Sequence, residues 1–410
     1  MSRTRLVPVL VATAALLLGC GSDDDRGSPA AGDADTRTGC IDDFDATTDY
    51  FPDKVVAEHS ELWSAEYHNS YVVLSVPNSE FADQGTLDYV LVRCGAPEPE
   101  LPDALADAQV FEVPIQRTVI NHGNGVAMLD EIDVVETVVG FGDSVFSVAD
   151  DPWVAEIMDR ADSPANVGEG DGVDLETTLG LEPDLVILGG FGPGFTNVSD
   201  TVDRGLPAVM ISNRIESTPL ASAEWIKFLA PFYGMETLAN ERFTEIETAY
   251  EEIAQTVRDS LEDDFRAGYF CMDPDRGCAF MAGHGSASLN GHILDTLGTT
   301  NVFAEGNDAP NGMEFDYEKA LGRAGDADFF VIYDRLSVIK GLLDSDTRFS
   351  EFEALTSGRY IGFLDDEYPR CRFTSTVQAD RLIRDYAIGM VPEQFPGEEP
   401  TCFAAPESDS

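Results

Sequence analysis

Short apolar segments alternate with helix-like segments in two parts of the chain, and one long helical pattern lies between them. The first part predicts buried strands at residues 110–114, 118–121, 134–140, 184–188 and 207–212. The second part predicts strands at residues 269–272, 279–281, 328–333 and 359–364. Apolar strands that alternate with helices are typical of a parallel sheet covered on both faces. The pattern therefore predicts an α/β protein with two doubly wound parallel-sheet lobes, at residues 109–220 and 263–410.

The segment between the lobes, residues 221–262, has the period of an amphipathic helix. Apolar and aromatic side chains recur at spacings of three and four residues, at Phe243, Ile246, Tyr250, Ile253 and Val257. Because this spacing places them on one helix face, we predict one long helix that joins the two lobes and exposes its acidic faces to solvent.

Residues 40–108 precede the lobes and have a different pattern. Short β-like segments at 70–76 and 87–93 are separated by clusters of Pro, Gly, Asn and Asp. We interpret this region as a small β-rich N-terminal extension that ends in a linker.

The N-terminus begins MSRTRLVPVLVATAALLLGC, with Arg3 and Arg5 before an apolar segment that is too short to span a membrane comfortably. The segment ends in Leu-Leu-Gly-Cys, which looks like a bacterial lipobox. We predict a signal peptide at residues 1–19, a lipidated Cys20 and an acidic tether at 20–39. The mature protein would then lie on the extracytoplasmic face of the membrane, periplasmic or at the cell surface, attached only by its lipid. The alternative is an ordinary secretory signal with a chance cysteine.

The balance of charges excludes some classes of function. The chain has 25 Lys and Arg against 76 Asp and Glu, which gives a formal net charge of −51. Such a chain is not a default nucleic-acid binder, because nothing offsets its repulsion of phosphate groups. A hydrophobic content of 43% is enough for packed cores, so the chain is not a disordered acidic polymer.

Six cysteines remain once Cys20 is set aside, an even number that is typical of disulfides in an exported protein. Six cysteines allow 15 connectivities, and pairing between sequence neighbours favours Cys40–Cys94, Cys271–Cys278 and Cys371–Cys402. No CxxC motif or Cys/His pair has the spacing of a metal site, and we predict no metal ligands and no resident cofactor.

Five motifs follow one another between residues 109 and 396. They are RTVINHGNGVAMLDEIDVVETVVGFGD, VDLETTLGLEPDLVILGG, PLASAEWIKFLAPFYGME, FDYEKALGRAGDADFFVIY and ADRLIRDYAIGMVPEQFP. In this order they resemble the cobalamin and ferric-siderophore type of ABC-transporter substrate-binding lipoprotein, the periplasmic binding proteins of class III. The extension at 40–108 lies outside the region of resemblance.

The resemblance implies a binding protein and not an enzyme. It implies a monomer that binds an iron-siderophore, cobalamin or haem-like ligand between its lobes, so that the transported ligand can contain iron or cobalt. The ligand would be delivered to an ABC permease dimer with its ATPase subunits. Two alternatives stay open, a secreted lipid-anchored enzyme and a sensor or adhesion protein on an α/β scaffold. The absence of GxSxG and GxxxxGK[ST] motifs speaks against the enzyme.

Two glutamates, Glu176 and Glu318, stand near the starts of predicted helices, where a negative charge also interacts favourably with the helix dipole. The resemblance implies a further role, in which one Glu on each lobe pairs with arginines of the permease.

The ligand cleft should be lined by loops at the carboxyl ends of the strands. Arginines there would suit an anionic ligand, and aromatic faces would suit a macrocycle or a catecholate. A haem or metal role is also conceivable for the two histidines in opposing loops, and each residue can instead be an ordinary turn or surface residue. The candidate ligand-binding residues are His122, Phe191, Phe195, Arg214, His284, Tyr333, Arg335, Tyr368 and Arg370.

Overall fold

A computed structural model of the chain describes residues 39–78, 85–161, 163–168, 172–190, 198–272, 280–310 and 312–406. The predicted signal peptide, the predicted lipidation site Cys20 and nearly all of the predicted tether lie outside these ranges, as do Phe191, Phe195 and Cys278. No helix within the described ranges combines the length and the apolar character needed to cross a membrane.

The extension forms a four-stranded sheet in the order β1 to β4. Its strands are β1 (Ser64–Tyr67), β2 (Tyr71–Pro77), β3 (Thr86–Arg93) and β4 (Gln109–Val113). The first three strands are antiparallel, and β4 runs parallel to β3. The sequence pattern wrongly places β4 in the first lobe. Only Phe111 and Val113 of β4 are buried, as expected for an outer strand with one covered face rather than a central strand of a parallel sheet.

The N-terminal lobe confirms the predicted doubly wound parallel sheet. Its order is β7-β6-β5-β8-β9, every pair is parallel, and the order reverses at β5. The strands are β5 (Thr118–Ile120), β6 (Val138–Phe141), β7 (Ala165–Asn166), β8 (Leu185–Gly189) and β9 (Ala208–Ile211). The helices are α1 (Gly123–Glu131), α2 (Asp143–Phe146), α3 (Pro152–Arg160), α4 (Leu175–Gly180) and α5 (Val198–Asp203).

Three helices connect the lobes: α6 (Pro219–Ala223), α7 (Trp225–Tyr233) and the long α8 (Glu236–Arg258). Every residue of α7 is buried, and α7 ends at Gly234, whose φ of 70° is the left-handed conformation that glycine adopts without strain. The predicted apolar face of α8 is confirmed, because all of its five residues are buried.

The C-terminal lobe contains a seven-stranded sheet whose path is β13-β11-β10-β14-β15-β16, with β12 beside β10. The strands are β10 (Arg266–Cys271), β11 (Met281–Gly283), β12 (Thr300–Asn301), β13 (Met313–Phe315), β14 (Phe329–Arg335), β15 (Tyr360–Phe363) and β16 (Phe403–Ala404). The helices are α9 (Leu289–Thr296), α10 (Tyr317–Ala324), α11 (Leu336–Ser345), α12 (Glu353–Thr356), α13 (Tyr368–Thr374) and α14 (Ala379–Met390).

This second sheet is parallel at its centre and antiparallel at its edges, so the prediction of a parallel sheet holds for β12, β10, β14 and β15. The pairs β10–β11, β11–β13 and β15–β16 are antiparallel. The connection between β10 and β11 is too short for the crossover that a parallel pair requires, which explains the direction of β11.

Two of the predicted disulfides are present, Cys40–Cys94 in the extension and Cys371–Cys402 in the C-terminal lobe. Cys271 is also disulfide-bonded. One continuous apolar core contains residues of the extension, the N-terminal lobe, the connecting helices and α14. The extension therefore packs as part of the main body of the protein.

Candidate ligand-binding site

A cavity of about 320 Å³ lies between the two lobes, within the size range of small-molecule sites. The N-terminal lobe contributes the turn after β9. The C-terminal lobe contributes residues of β10, β14, β16, α9, α13 and α14, of the segments that follow β11 and α13, and of the segment before β13. The described lining residues are Arg214, Ile215, Glu216, Tyr269, His284, Leu289, Asn290, Pro310, Tyr333, Arg372, Ser375, Thr376, Leu382 and Phe403. Three of the predicted residues, Arg214, His284 and Tyr333, are among them.

The charge of this cavity is opposite to that of the chain. Its described lining includes Arg214 and Arg372 against a single carboxylate, Glu216, whereas acids outnumber bases 76 to 25 in the whole sequence. One oxygen of the Glu216 carboxylate already accepts hydrogen bonds from Ser60 Oγ at 2.5 Å and Trp225 Nε1 at 2.8 Å. The cavity is thus suited to an anion, because local guanidinium groups counter the negative field of the molecule.

Arg214 stands where the two lobes meet. Its Nη1 donates a hydrogen bond to Asn124 Oδ1 at 3.2 Å, at the start of α1. The amide nitrogen of Asn124, a 4% exposed residue, donates to the Phe373 carbonyl at 3.0 Å and to Thr376 Oγ1 at 2.8 Å in the other lobe. The arginine is therefore oriented by a residue that bridges the lobes.

Aromatic rings form the C-terminal side of the cavity. The ring of Tyr269 meets that of His284 edge to face at 4.8 Å and lies 6.1 Å from that of Tyr333. Burial lowers the pKa of His284 to about 4, so its imidazole is neutral at pH 7. Its buried Nδ1 has no hydrogen-bond partner among the described residues. His284 and Tyr333 are partly exposed toward the cavity, and Tyr269, 1% exposed, packs against both rings and supports them.

His122 does not line the cavity. It is the N-cap of α1, where its Nδ1 accepts a hydrogen bond from the backbone N–H of Gly125 at 3.4 Å. Burial, with a smaller contribution from the charge of Arg214, lowers the pKa of His122 to about 3. His122 is therefore a neutral helix cap. Of the two histidines predicted for the cleft, only His284 lines the cavity.

The predicted residues Arg335, Tyr368 and Arg370 are not part of the described cavity lining. The guanidinium of Arg335 lies 5.6 Å from the centre of the Tyr368 ring, and that of Arg372 lies 5.8 Å from it. Arg370 instead forms an ion pair with Glu367 at 2.7 Å. Of these residues only Arg372, which the sequence reasoning missed, lines the cavity.

A helix explains this error. Residues 365–372 look like a loop in the sequence, but α13 begins at Tyr368. Side chains two residues apart on a helix differ in direction by about 200°, so Arg370 and Arg372 point to opposite sides. Tyr269 was missed because it lies inside a strand rather than in a loop, and Phe403 because it lies in the tail after the last helix. Cys371 adjoins both Arg370 and Arg372, so the sequence offers no signal that separates the two arginines.

A second cavity, of about 540 Å³, lies along α8 beside α9. Its lining includes the exposed Glu251, Glu252 and Arg258 and none of the residues predicted for the ligand. It is larger but more open than the inter-lobe cavity and receives no residue from the sheets, so the inter-lobe cavity is the better candidate for a ligand site.

The two predicted docking glutamates occupy equivalent positions. Glu176 and Glu318 are each the second residue of a helix, α4 and α10, and both side chains are exposed. Each helix is capped by an aspartate: Asp174 accepts from the Thr177 N–H at 2.8 Å, and Asp316 accepts from the Lys319 N–H at 3.0 Å. The two lobes thus present matching negative helix starts.

Residues 126–361, more than half of the chain, match the family described as "Periplasmic binding protein". The chain belongs to this family. Its members are binding proteins and not enzymes, so the enzyme alternative is not supported. Such proteins act outside the cytoplasm.

The chain is also similar to two uncharacterised lipoproteins of Methanocaldococcus jannaschii. One is 20% identical over 298 residues, which are 72% of this chain and 70% of the relative. The other is 24% identical over 328 residues, which are 78% of this chain and 79% of the relative.

Solved structures share the fold at low sequence identity. A periplasmic binding protein from Veillonella parvula has a TM-score of 0.57 at 13% identity, covering 82% of this chain and 98% of that chain. A periplasmic heme binding protein from Pseudomonas aeruginosa has a TM-score of 0.55 at 14% identity, covering 72% of this chain and 99% of that chain. A petrobactin-binding protein from Bacillus subtilis has a TM-score of 0.53 at 14% identity, covering 68% of this chain and 94% of that chain.

Proposed function

We propose that the protein binds an anionic metal chelate between its lobes and delivers it to an ABC permease. The ligand class is that of an iron-siderophore, cobalamin or haem-like compound, and the negatively charged members of this class fit best. The observation that carries the proposal is the reversal of charge in the cavity, where Arg214 and Arg372 come from opposite lobes. An anion between these guanidinium groups would bind both lobes at once.

The aromatic side of the cavity supports the same ligand class. The partly exposed rings of Tyr333 and His284 line the same cavity as Arg214 and Arg372, and a metal chelate with aromatic or macrocyclic parts uses both kinds of contact. Proteins similar in fold include heme- and petrobactin-binding proteins.

The other parts of the proposed function concern the membrane. Attachment through a lipidated Cys20 is supported by the N-terminal pattern and by the similarity to two lipoproteins. Docking to the permease through Glu176 and Glu318 is supported by their exposure and by their matching positions on the two lobes.

The test is titration of the purified protein with hemin, cyanocobalamin and the ferric complexes of a catecholate and a hydroxamate siderophore. We expect the anionic catecholate complex or hemin to bind, and Arg214→Ala and Arg372→Ala each to weaken binding by roughly tenfold or more, since a charge-assisted hydrogen bond contributes about 1.5–3 kcal/mol.

Arg370→Ala is the matched control, because this residue lies on the same helix as Arg372 but is paired with Glu367 away from the cavity. It should change the Kd by less than about twofold. Binding of none of the probes, or equal losses in Arg370→Ala and Arg372→Ala, would contradict the proposal.

A further inference from the structure

The N-terminal extension is joined to the connecting helices by a buried pair of charges. Glu224 and Lys227 are 0% and 3% exposed. The Glu224 carboxylate accepts hydrogen bonds from the backbone N–H groups of Glu58, His59 and Ser60, at 2.8, 2.9 and 2.8 Å. A buried carboxylate needs donors to replace its lost water. In this protein three consecutive residues of the extension supply them.

Lys227 binds the same segment of the extension. Its ammonium group lies 3.1 Å from the Glu224 carboxylate, 3.0 Å from that of Glu58 and 3.3 Å from the carbonyl oxygen of Val56. It also lies 4.3 Å from the centre of the Phe243 ring on α8. Both charges of this pair therefore have partners in the extension, as well as in each other.

Further contacts continue along α8. The carboxylate of Asp53 accepts from Thr237 Oγ1 at 2.8 Å, and the carbonyl of Lys54 accepts from Asn240 Nδ2 at 3.0 Å. His59 Nε2 lies 2.6 Å from the Glu247 carboxylate, about three turns from the start of the helix. We call residues 53–60 the strap, because they lie along the connection between the lobes.

The end of the strap reaches the wall of the ligand cavity. Ser60, 7% exposed, donates its hydroxyl to Glu216 Oε1 at 2.5 Å, and Glu216 lines the cavity. The same oxygen accepts from Trp225 at the start of α7. Glu216 directly follows the turn Asn213–Ile215, which carries Arg214 into the cavity. Ser60 and Trp225 together fix the carboxylate that ends this turn.

We propose that Ser60 is a positioning residue for the ligand site, which acts through Glu216 on the turn that carries Arg214, and that the Glu224–Lys227 pair holds the strap in place for it. The inference deepens the proposed function and rests on it for the nature of the ligand. The strap is then part of the binding site's support and not a separate module for another partner.

The experiment compares the full-length protein with Ser60→Ala and Ser60→Thr, and uses Ser75→Ala as the control. Ser75 belongs to the sheet of the extension, where its hydroxyl donates to Asp88 at 2.5 Å. It is not among the described residues that line the inter-lobe cavity. The first measurement is hydrogen exchange without ligand in peptides that cover residues 212–216. Ser60→Ala should raise their exchange rates several-fold, Ser60→Thr should restore protection, and Ser75→Ala should leave it unchanged.

The second measurement is the Kd for the probe that the wild type binds among hemin, cyanocobalamin and the two ferric complexes. Ser60→Ala should weaken binding at least fivefold, with rescue by Ser60→Thr. Unchanged exchange at 212–216 in Ser60→Ala overturns the inference, and so does faster exchange with an unchanged Kd. A wild type that binds none of the probes contradicts the proposed function, and the exchange rates, which need no ligand, then decide the inference alone.

Discussion

At the scale of single residues, neighbouring side chains of the same type have different tasks because their local surroundings differ. Arg370 pairs with Glu367, whereas Arg372 lines the cavity. His122 caps a helix, whereas His284 borders the ligand cavity. Residue type alone predicts that arginine suits an anionic ligand, but the direction of each side chain decides which arginine can reach it.

The buried His122 should make the stability of the protein depend on pH. Its folded-state pKa of about 3 lies below the ordinary value of 6.5, so the unfolded chain takes up a proton first as the pH falls. Its contribution to stability is complete above pH 6.5 and is lost as the pH falls toward 3, with a slope of up to about 1.4 kcal/mol per pH unit.

The variant His122→Asn keeps an N-cap acceptor but cannot take up this proton. We expect it to lose less stability than the wild type between pH 6.5 and 4, as measured by urea unfolding at several pH values. The control is His68→Asn, since the side chain of His68, on the extension, is 37% exposed. Equal pH dependence of His122→Asn and the wild type would contradict the assignment of His122 as a buried neutral cap.

At the scale of elements, the C-terminal tail, residues 401–404, completes the wall of the inter-lobe cavity. Strand β16 pairs with β15, and the backbone N–H groups of Thr401, Cys402 and Phe403 donate to the buried carboxylate of Asp385 at 2.7, 2.6 and 2.9 Å. The disulfide Cys371–Cys402 joins this tail to α13. Each of its cysteines precedes a cavity residue, Arg372 or Phe403, so one covalent bond fixes two parts of the cavity wall.

Removal of this disulfide should therefore affect both stability and binding. We expect Cys371→Ser/Cys402→Ser to lower the free energy of unfolding by about 2–4 kcal/mol and to weaken binding of the probe severalfold. The matched control is Cys40→Ser/Cys94→Ser, which removes a disulfide whose cysteines adjoin no described cavity residue. That variant should lose stability with a smaller change in Kd. Chemical unfolding and titration measure the two effects, and equal losses of affinity would show that the tail has no special role.

At the scale of the whole molecule, the two lobes present equivalent negative helix starts while the cavity between them carries Arg214 and Arg372. The surfaces proposed for ligand binding and for docking thus carry opposite charge. Glu176 and Glu318 lie outside the cavity lining, so their replacement should change delivery without changing capture.

We expect Glu176→Arg/Glu318→Arg to abolish uptake in cells that contain the cognate permease, because arginines would then oppose arginines, while the Kd of the purified protein stays within about twofold. Glu156→Arg, an exposed charge reversal on α3, is the control and should sustain uptake. Normal uptake by the double variant would exclude docking through these two residues.

The sequence by itself determined the features that depend on local pattern. Apolar strands alternating with helices specify the two lobes, and the spacing of three and four from Phe243 to Val257 specifies the buried face of α8. The pairs Cys40–Cys94 and Cys371–Cys402 join sequence neighbours among the cysteines, so simple order predicted them.

Only the tertiary structure decided the features that depend on contacts between distant segments. It assigned β4 to the sheet of the extension, turned Arg372 into the cavity, and brought Ser60 to Glu216 across 156 positions of sequence. The periodicity of the sequence indicates which side of an element is apolar, because the side that packs against the core is the one with apolar residues. It does not record how far an element is rotated or which distant backbone donors meet a buried carboxylate, because those follow from packing of the whole chain.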